Sequence, residues 1–202
     1  MSTPLETRES AYRDAIGAGR LKMLLILAAC AAPVIASYVS FYFFKPAGRI
    51  NHGALIEPVQ PLSDAALAHL DGRPFRFSEF RGKWLLLTLD GGACAGNCPD
   101  KLLKMRQLRT MQGKERDRIE RAWLITDDVP LATLLIREYD GTRMLRAKGA
   151  PLLAEFPATG DRSDHIYLID PLGNLVLRYP KDSDPMKMNK DLQRLLKYSR
   201  IG

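Results

Sequence analysis

The chain opens on one long apolar block and then changes rhythm. From Met23 to Phe44 the run MLLILAACAAPVIASYVSFYFF carries no charged residue, and at about 1.5 Å per helical residue it is long enough to cross a hydrocarbon core of about 30 Å. A membrane-spanning helix over 23–44 is expected, with Pro33 as a point where it kinks. Beyond it, Lys45 to Ser63 contains Pro46, Gly48, Gly53, Pro58 and Pro61, a composition that resists regular structure and suits a tether. Shorter periods follow. A strand is expected around Phe75–Phe77 and a buried strand over Trp84–Leu89. From Pro99 to about Gly113, Leu102, Leu103, Met105 and Leu108 fall on one side, with Lys101, Lys104, Arg106 and Arg109 elsewhere, which predicts an amphipathic helix with proline in its first turn. Ala122–Thr126 reads as another buried strand, Leu131–Tyr139 as a helix, His165–Asp170 and Leu175–Tyr179 as a hairpin around Pro171–Asn174, and Asp191–Ser199 as a closing helix. Strand, helix, strand makes a parallel pair joined by a crossover, so the fold class is α/β, with a mixed central sheet and flanking helices.

This divides the 202 residues into an N-terminal segment 1–22, a transmembrane helix 23–44, a tether 45–63 and a domain 64–202. Arg8, Arg13, Arg20 and Lys22 precede the apolar block while Lys45 and Arg49 follow it closely, so the positive-inside bias places the N-terminus in the cytoplasm and the domain outside. A cleaved signal peptide has a shorter apolar stretch and a small-residue cleavage site, whereas this run continues through Tyr42, Phe43 and Phe44. Leu27-Ala28-Ala29-Cys30 has the look of a lipobox, but lipidation there leaves a long apolar stretch on the mature terminus; Cys30 reads as a small apolar helix residue. After residue 44 come 26 of the 30 Lys and Arg and 20 of the 23 Asp and Glu. That basic excess favours anionic headgroups or an acidic protein partner. The charges are not gathered into an arm and no nucleic-acid module appears.

The chemistry concentrates in GGACAGNCPD, Gly91 to Asp100, directly after the strand at Trp84–Leu89. Residues i and i+4 on a helical turn lie about 6 Å apart, inside the span of about 4.4–6.8 Å that a disulfide bridges, so Cys94 and Cys98 can pair. Amide dipoles at a helix N-terminus stabilise a thiolate, Lys101 and Lys104 add to this, and Cys94, at the turn, is expected to be the more exposed and reactive thiol. Two thiolates are also a soft donor set suited to cuprous ion. Zinc fits less well, since no second cysteine pair supplies four ligands. An inert staple is the plain alternative, but a bridge over so short a loop restrains little chain.

Cys94-x-x-x-Cys98-Pro99 after WLLLTLD, the upstream DGRPFRFSEFRGKW and the downstream YLIDPLGNLVLRYP together resemble the Sco (SenC) family, over roughly residues 65–202 plus the anchor. The resemblance implies a thioredoxin-like fold, a bacterial inner-membrane anchor with a periplasmic domain, and a copper chaperone for the copper centre of cytochrome c oxidase, with an oxidase subunit or its assembly factors as partners. It implies metal ligands at Cys94 and Cys98 and a third at a histidine five positions before the tyrosine of YLID. That position is Arg162, a cation where a ligand is expected; the nearest histidine is His165, three residues on, where the alternation of a strand turns it to the other face unless the 161–164 loop is rearranged. His165 is the candidate third ligand on that condition. His52 and His69 lack a local partner set, and Met186 with Met188 forms a pair that offers thioethers to cuprous ion or simply packs. Trp84, Trp123 and most methionines are expected in the core. Two other functions stay open: a thiol-disulfide oxidoreductase without copper, which the three-residue spacing between cysteines disfavours, and a non-catalytic assembly scaffold. A peroxidase of the peroxiredoxin type lacks its proline-threonine arrangement before Cys94.

Overall fold

A computed structural model of the chain describes residues 4–43, 51–199 and 201. The chain falls into two compact units, Met1–Arg49 and Ile50–Gly202. The first is a helix, α1 (Pro4–Phe43), interrupted by no break at Pro33. Its segment Lys22–Ser40 is long and apolar enough to cross a membrane; Phe44 and residues 45–50 of the expected tether lie outside the described residues.

The second unit is one eight-stranded sheet with helices packed on it, in the order β1 (Ala54–Pro61), β8 (Asn174–Pro180), β7 (His165–Ile169), β4 (Trp84–Asp90), β5 (Ile119–Ile125), β6 (Arg143–Arg146), β2 (Ala66–His69), β3 (Pro74–Arg76). Its centre is made by the least polar segments. β4 (Trp84–Asp90) and β5 (Ile119–Ile125) are buried almost throughout and pair in parallel, as segments covered on both faces must. The crossover between them is α2 (Cys98–Met111). β7 (His165–Ile169) pairs antiparallel with β4 and turns through a hairpin into β8 (Asn174–Pro180). β6 (Arg143–Arg146) extends the sheet beyond β5, after the short helix α3 (Thr133–Glu138), and β2 (Ala66–His69) with β3 (Pro74–Arg76) forms the far edge. Phe77 leaves the strand expected there and starts a single 3-10 turn. One face of the sheet is closed by Phe75, Phe77, Phe80, Leu152 and Phe156; the other by Met105 and Leu108 of α2 and by Met188, Leu192 and Leu196 of α4 (Pro185–Tyr198). This mixed sheet flanked by helices is the expected fold class.

The expected tether is corrected in its second half. Ala54–Pro61 forms β1, paired antiparallel with β8 at Ala54–Leu55 and again at Gln60–Pro61. Prolines are tolerated there because β1 is an edge strand, whose outward N–H groups have no ladder to lose. The segment is also fastened from the other side. The buried Asp191 carboxylate of α4 accepts the His52 N–H at 2.7 Å, the Gly53 N–H at 3.0 Å and the Tyr179 hydroxyl at 3.3 Å.

Candidate functional site

The site is built where β4 ends. Asp90 folds its carboxylate back onto the Gly91 N–H at 2.9 Å, and the Gly92 N–H donates to Asp127 Oδ1 at 2.8 Å. Glycine is required by space at Gly92, because a Cβ there would run into the Val129 carbonyl. The Cys94 N–H then closes a turn on the Gly91 carbonyl at 3.0 Å, and Cys94 itself is held at φ 45°. A non-glycine residue held in the left-handed region costs about 1–3 kcal/mol, and such strain collects at functional sites. Cys98 opens α2 with Pro99 behind it, and the two cysteines, with Cα atoms 5.1 Å apart, are joined as a disulfide.

The bridge is sheltered. Cys94 keeps 6% of its surface exposed and Cys98 none, against Leu102, Trp123, Ile125 and Tyr139. The Tyr139 hydroxyl donates to the Pro99 carbonyl at 3.2 Å, pinning the first turn of α2. Asn97, before the helix, makes no capping bond and instead donates from Nδ2 to Asp164 Oδ1 at 2.8 Å, which ties the cysteine turn to the 161–164 loop.

Lys101 departs from its expected place on the polar side of α2. It is completely buried, in line with Cys98, Met105 and Leu108. Its ammonium pairs with Asp90 Oδ2 at 2.8 Å and also donates to the Leu89 carbonyl at 3.5 Å and to the Ser163 carbonyl. Burial pulls the Lys101 pKa below the usual lysine value and the Asp90 carboxylate opposes that shift. The signal was present in the sequence, since Lys101 follows Cys98 by three positions and precedes Met105 by four. Lys104 reaches the Lys181 carbonyl instead.

The remaining candidates separate. His165 is buried at the start of β7. It shares with Tyr167 the parity of the face closed by Phe156, whereas α2 packs over Ile166 and Leu168. Its ring lies 5.9 Å from the Tyr167 ring, and Nδ1 sits 3.0 Å from the Asp161 carbonyl. Burial lowers its pKa below the usual histidine value, partly opposed by that carbonyl. Arg162 is not the cation at the thiols; it is exposed, and its Nε donates to the Phe156 carbonyl at 3.0 Å. The methionine pair is split, Met188 in the core and Met186 exposed. His69 packs edge-on to Phe75, and the backbone of His52 is held by Asp191. Among the described residues no three His, Cys, Asp or Glu groups converge to hold a metal ion. The donor set therefore fits a two-coordinate cuprous ion on the reduced cysteines and does not fit cupric ion, which prefers added nitrogen ligands.

Residues 84–199, more than half of the chain, match the family described as transmembrane-like, thioredoxin-like, C-terminal domain. No curated protein matches the sequence. Among solved structures, yeast Sco1 with copper bound superposes with a TM-score of 0.58 at 17% identity, covering 69% of this chain and 94% of that one. A putative protein disulfide isomerase from Bacteroides thetaiotaomicron gives 0.53 at 18%, over 73% and 95%. BsSco, a member of the Sco family of cytochrome c oxidase assembly proteins in which a disulfide switch was identified, gives 0.51 at 13%, over 75% and 100%. At these identities the likeness is one of fold.

Proposed function

Because the chain belongs to the family of transmembrane-like proteins with a thioredoxin-like C-terminal domain, we propose that it is a membrane-anchored, Sco-like thiol-disulfide protein. Its Cys94–Cys98 pair alternates between disulfide and dithiol in assembling the copper centre of cytochrome c oxidase. The observation that carries this reading is the disulfide itself, set on the first turn of α2 with Cys94 in a strained backbone conformation. A helix N-terminus favours the thiolate that forms when such a bridge opens. The domain faces the outer side of a bacterial inner membrane, where disulfides persist, and the partner is an oxidase subunit or an assembly factor bearing cysteines.

A second reading, that the reduced pair also carries cuprous ion as cargo, is favoured by the two sulfurs being adjacent and by the fold shared with copper-bound yeast Sco1. His165 takes no part as a ligand in this proposal. Equilibration of the full chain in detergent with mixtures of reduced and oxidised dithiothreitol tests the first reading: one two-electron transition is expected. A disulfide that stays closed until the protein is denatured overturns it. Anaerobic titration with cuprous ion tests the second, with one equivalent bound through two sulfurs and no nitrogen in the X-ray absorption spectrum. Absence of binding to the reduced protein removes copper from the reading.

A further inference from the structure

The buried ion pair Lys101–Asp90 has no counterpart in the chemistry assigned so far. A lysine in the core-facing stripe of a helix is unusual, because a desolvated ammonium is retained only when it is paired. This one is fixed by three acceptors on two neighbouring segments, Asp90 and the Leu89 carbonyl from the end of β4 and the Ser163 carbonyl from the loop before β7. Asp161 and Asp164 add their fields from that loop, and Asp164 is itself engaged by Lys181 and Asn97. The cation thus stands between the cysteine helix and the 161–164 loop. Positions three apart on a helix have Cβ atoms about 5–6 Å apart, which puts Lys101 one turn from the sulfur of Cys98.

Resting on the redox reading above, we propose that Lys101 is the charge that sets the redox equilibrium of the Cys94–Cys98 pair, favouring the dithiol, and that Asp90 keeps it charged while offsetting part of its field. The exchange runs as follows. A thiolate of a dithiol partner attacks Sγ of Cys94, the more accessible sulfur; the bond to Cys98 breaks, and Cys98 leaves with the electron pair. A second thiolate of the partner then attacks the mixed disulfide, its sulfur bonds to the first, and Cys94 is released. The partner ends as a disulfide, two electrons have passed to Cys94 and Cys98, and two protons follow from the partner's thiols. Cys98 has no exposed surface, so water does not meet the charge that arrives on it. The Lys101 ammonium, carried one helical turn further on, acts on it instead, in a medium where a charge counts for more than in water.

The test uses the full chain in detergent, carrying Cys30→Ser so that only the pair is counted, equilibrated with reduced and oxidised dithiothreitol and scored by maleimide labelling. Lys101→Met is expected to shift the equilibrium about tenfold towards the disulfide, about 30 mV. Lys101→Arg, which keeps the charge, stays near wild type. A purely structural pair makes Lys101→Arg shift as far as Lys101→Met by loosening the fold, and that result overturns the proposal, as does a shift below about threefold in Lys101→Met. Should a single variant fail to fold, the double variant Lys101→Met/Asp90→Asn retains a neutral pair. It is expected to shift about threefold towards the disulfide, and equality with wild type overturns the proposal. Wild-type protein that does not exchange at all overturns the redox reading, whereas exchange indifferent to Lys101 overturns this inference alone.

Discussion

The residue that organises the cysteine turn contributes no side chain at all. Gly92 lies so close to the Val129 carbonyl that a methyl group cannot fit, and the obstacle is backbone, which cannot rotate away. Gly92→Ala is therefore expected to cost about 1–3 kcal/mol in urea unfolding and to change the rate at which the disulfide is reduced, because Cys94 hangs from the same turn. The two thiols and their spacing were legible in the sequence. Lys101 was legible only as a position in the apolar stripe; its burial was not, because a lysine counts as polar until its partner is known, and Asp90 reaches it only through the fold. His165 illustrates the reverse case, a residue whose chemistry suggested a site and whose strand parity turns it into the core on the face opposite α2. Since burial lowers its folded pKa, its proton is bound more readily by the unfolded chain. The stability this contributes is complete above the ordinary histidine pKa of about 6.5 and is lost as the pH falls from there through the folded value. The melting temperature of the protein is expected to drop between about pH 7 and pH 5, and His165→Gln to flatten that step; an equally steep step in the variant counts against the assignment.

Elements buried on both faces announced themselves by continuous apolar runs. β4 and β5 were legible for that reason, and the hairpin of β7 and β8 was legible from the turn residues between its strands. β3 was legible at Phe75, one residue displaced from the strand expected there, whereas β2 and β6 are four residues long, too short for a two-residue period to stand out, and β6 finds its partners only through contacts distant in the chain. α4 starts earlier than the apolar pattern suggested, at Pro185, because Asp184 caps it by accepting the Met186 N–H at 2.8 Å. Its inward face, Met188, Leu192 and Leu196, closes the core on the α2 side. Leu192→Ala is expected to destabilise the domain by about 2–4 kcal/mol, read from the urea midpoint with an unchanged slope. A smaller loss means that α4 is peripheral to the cooperative unit.

For the whole molecule, the charge bias around α1 predicts one crossing with the C-terminus outside. A reporter fused after Gly202 that is active only in the cytoplasm contradicts that topology and the oxidising surroundings on which the redox reading depends. The attachment of residues 51–61 to the sheet bears on where this protein can be cut. A soluble fragment begun at Ala65, where the apolar pattern suggests that folding starts, would bare the outer edge of β8 between Asn174 and Arg178 and leave Asp191 buried without two of its donors. An uncovered strand edge is a template for pairing with another copy, and an orphaned carboxylate costs more than the bond it loses. Residues 65–202 are therefore expected to elute as aggregates and to melt early, while 51–202 runs as a discrete species. In the intact protein a protease that nicks the chain just after α1 should release a domain that still carries its first strand.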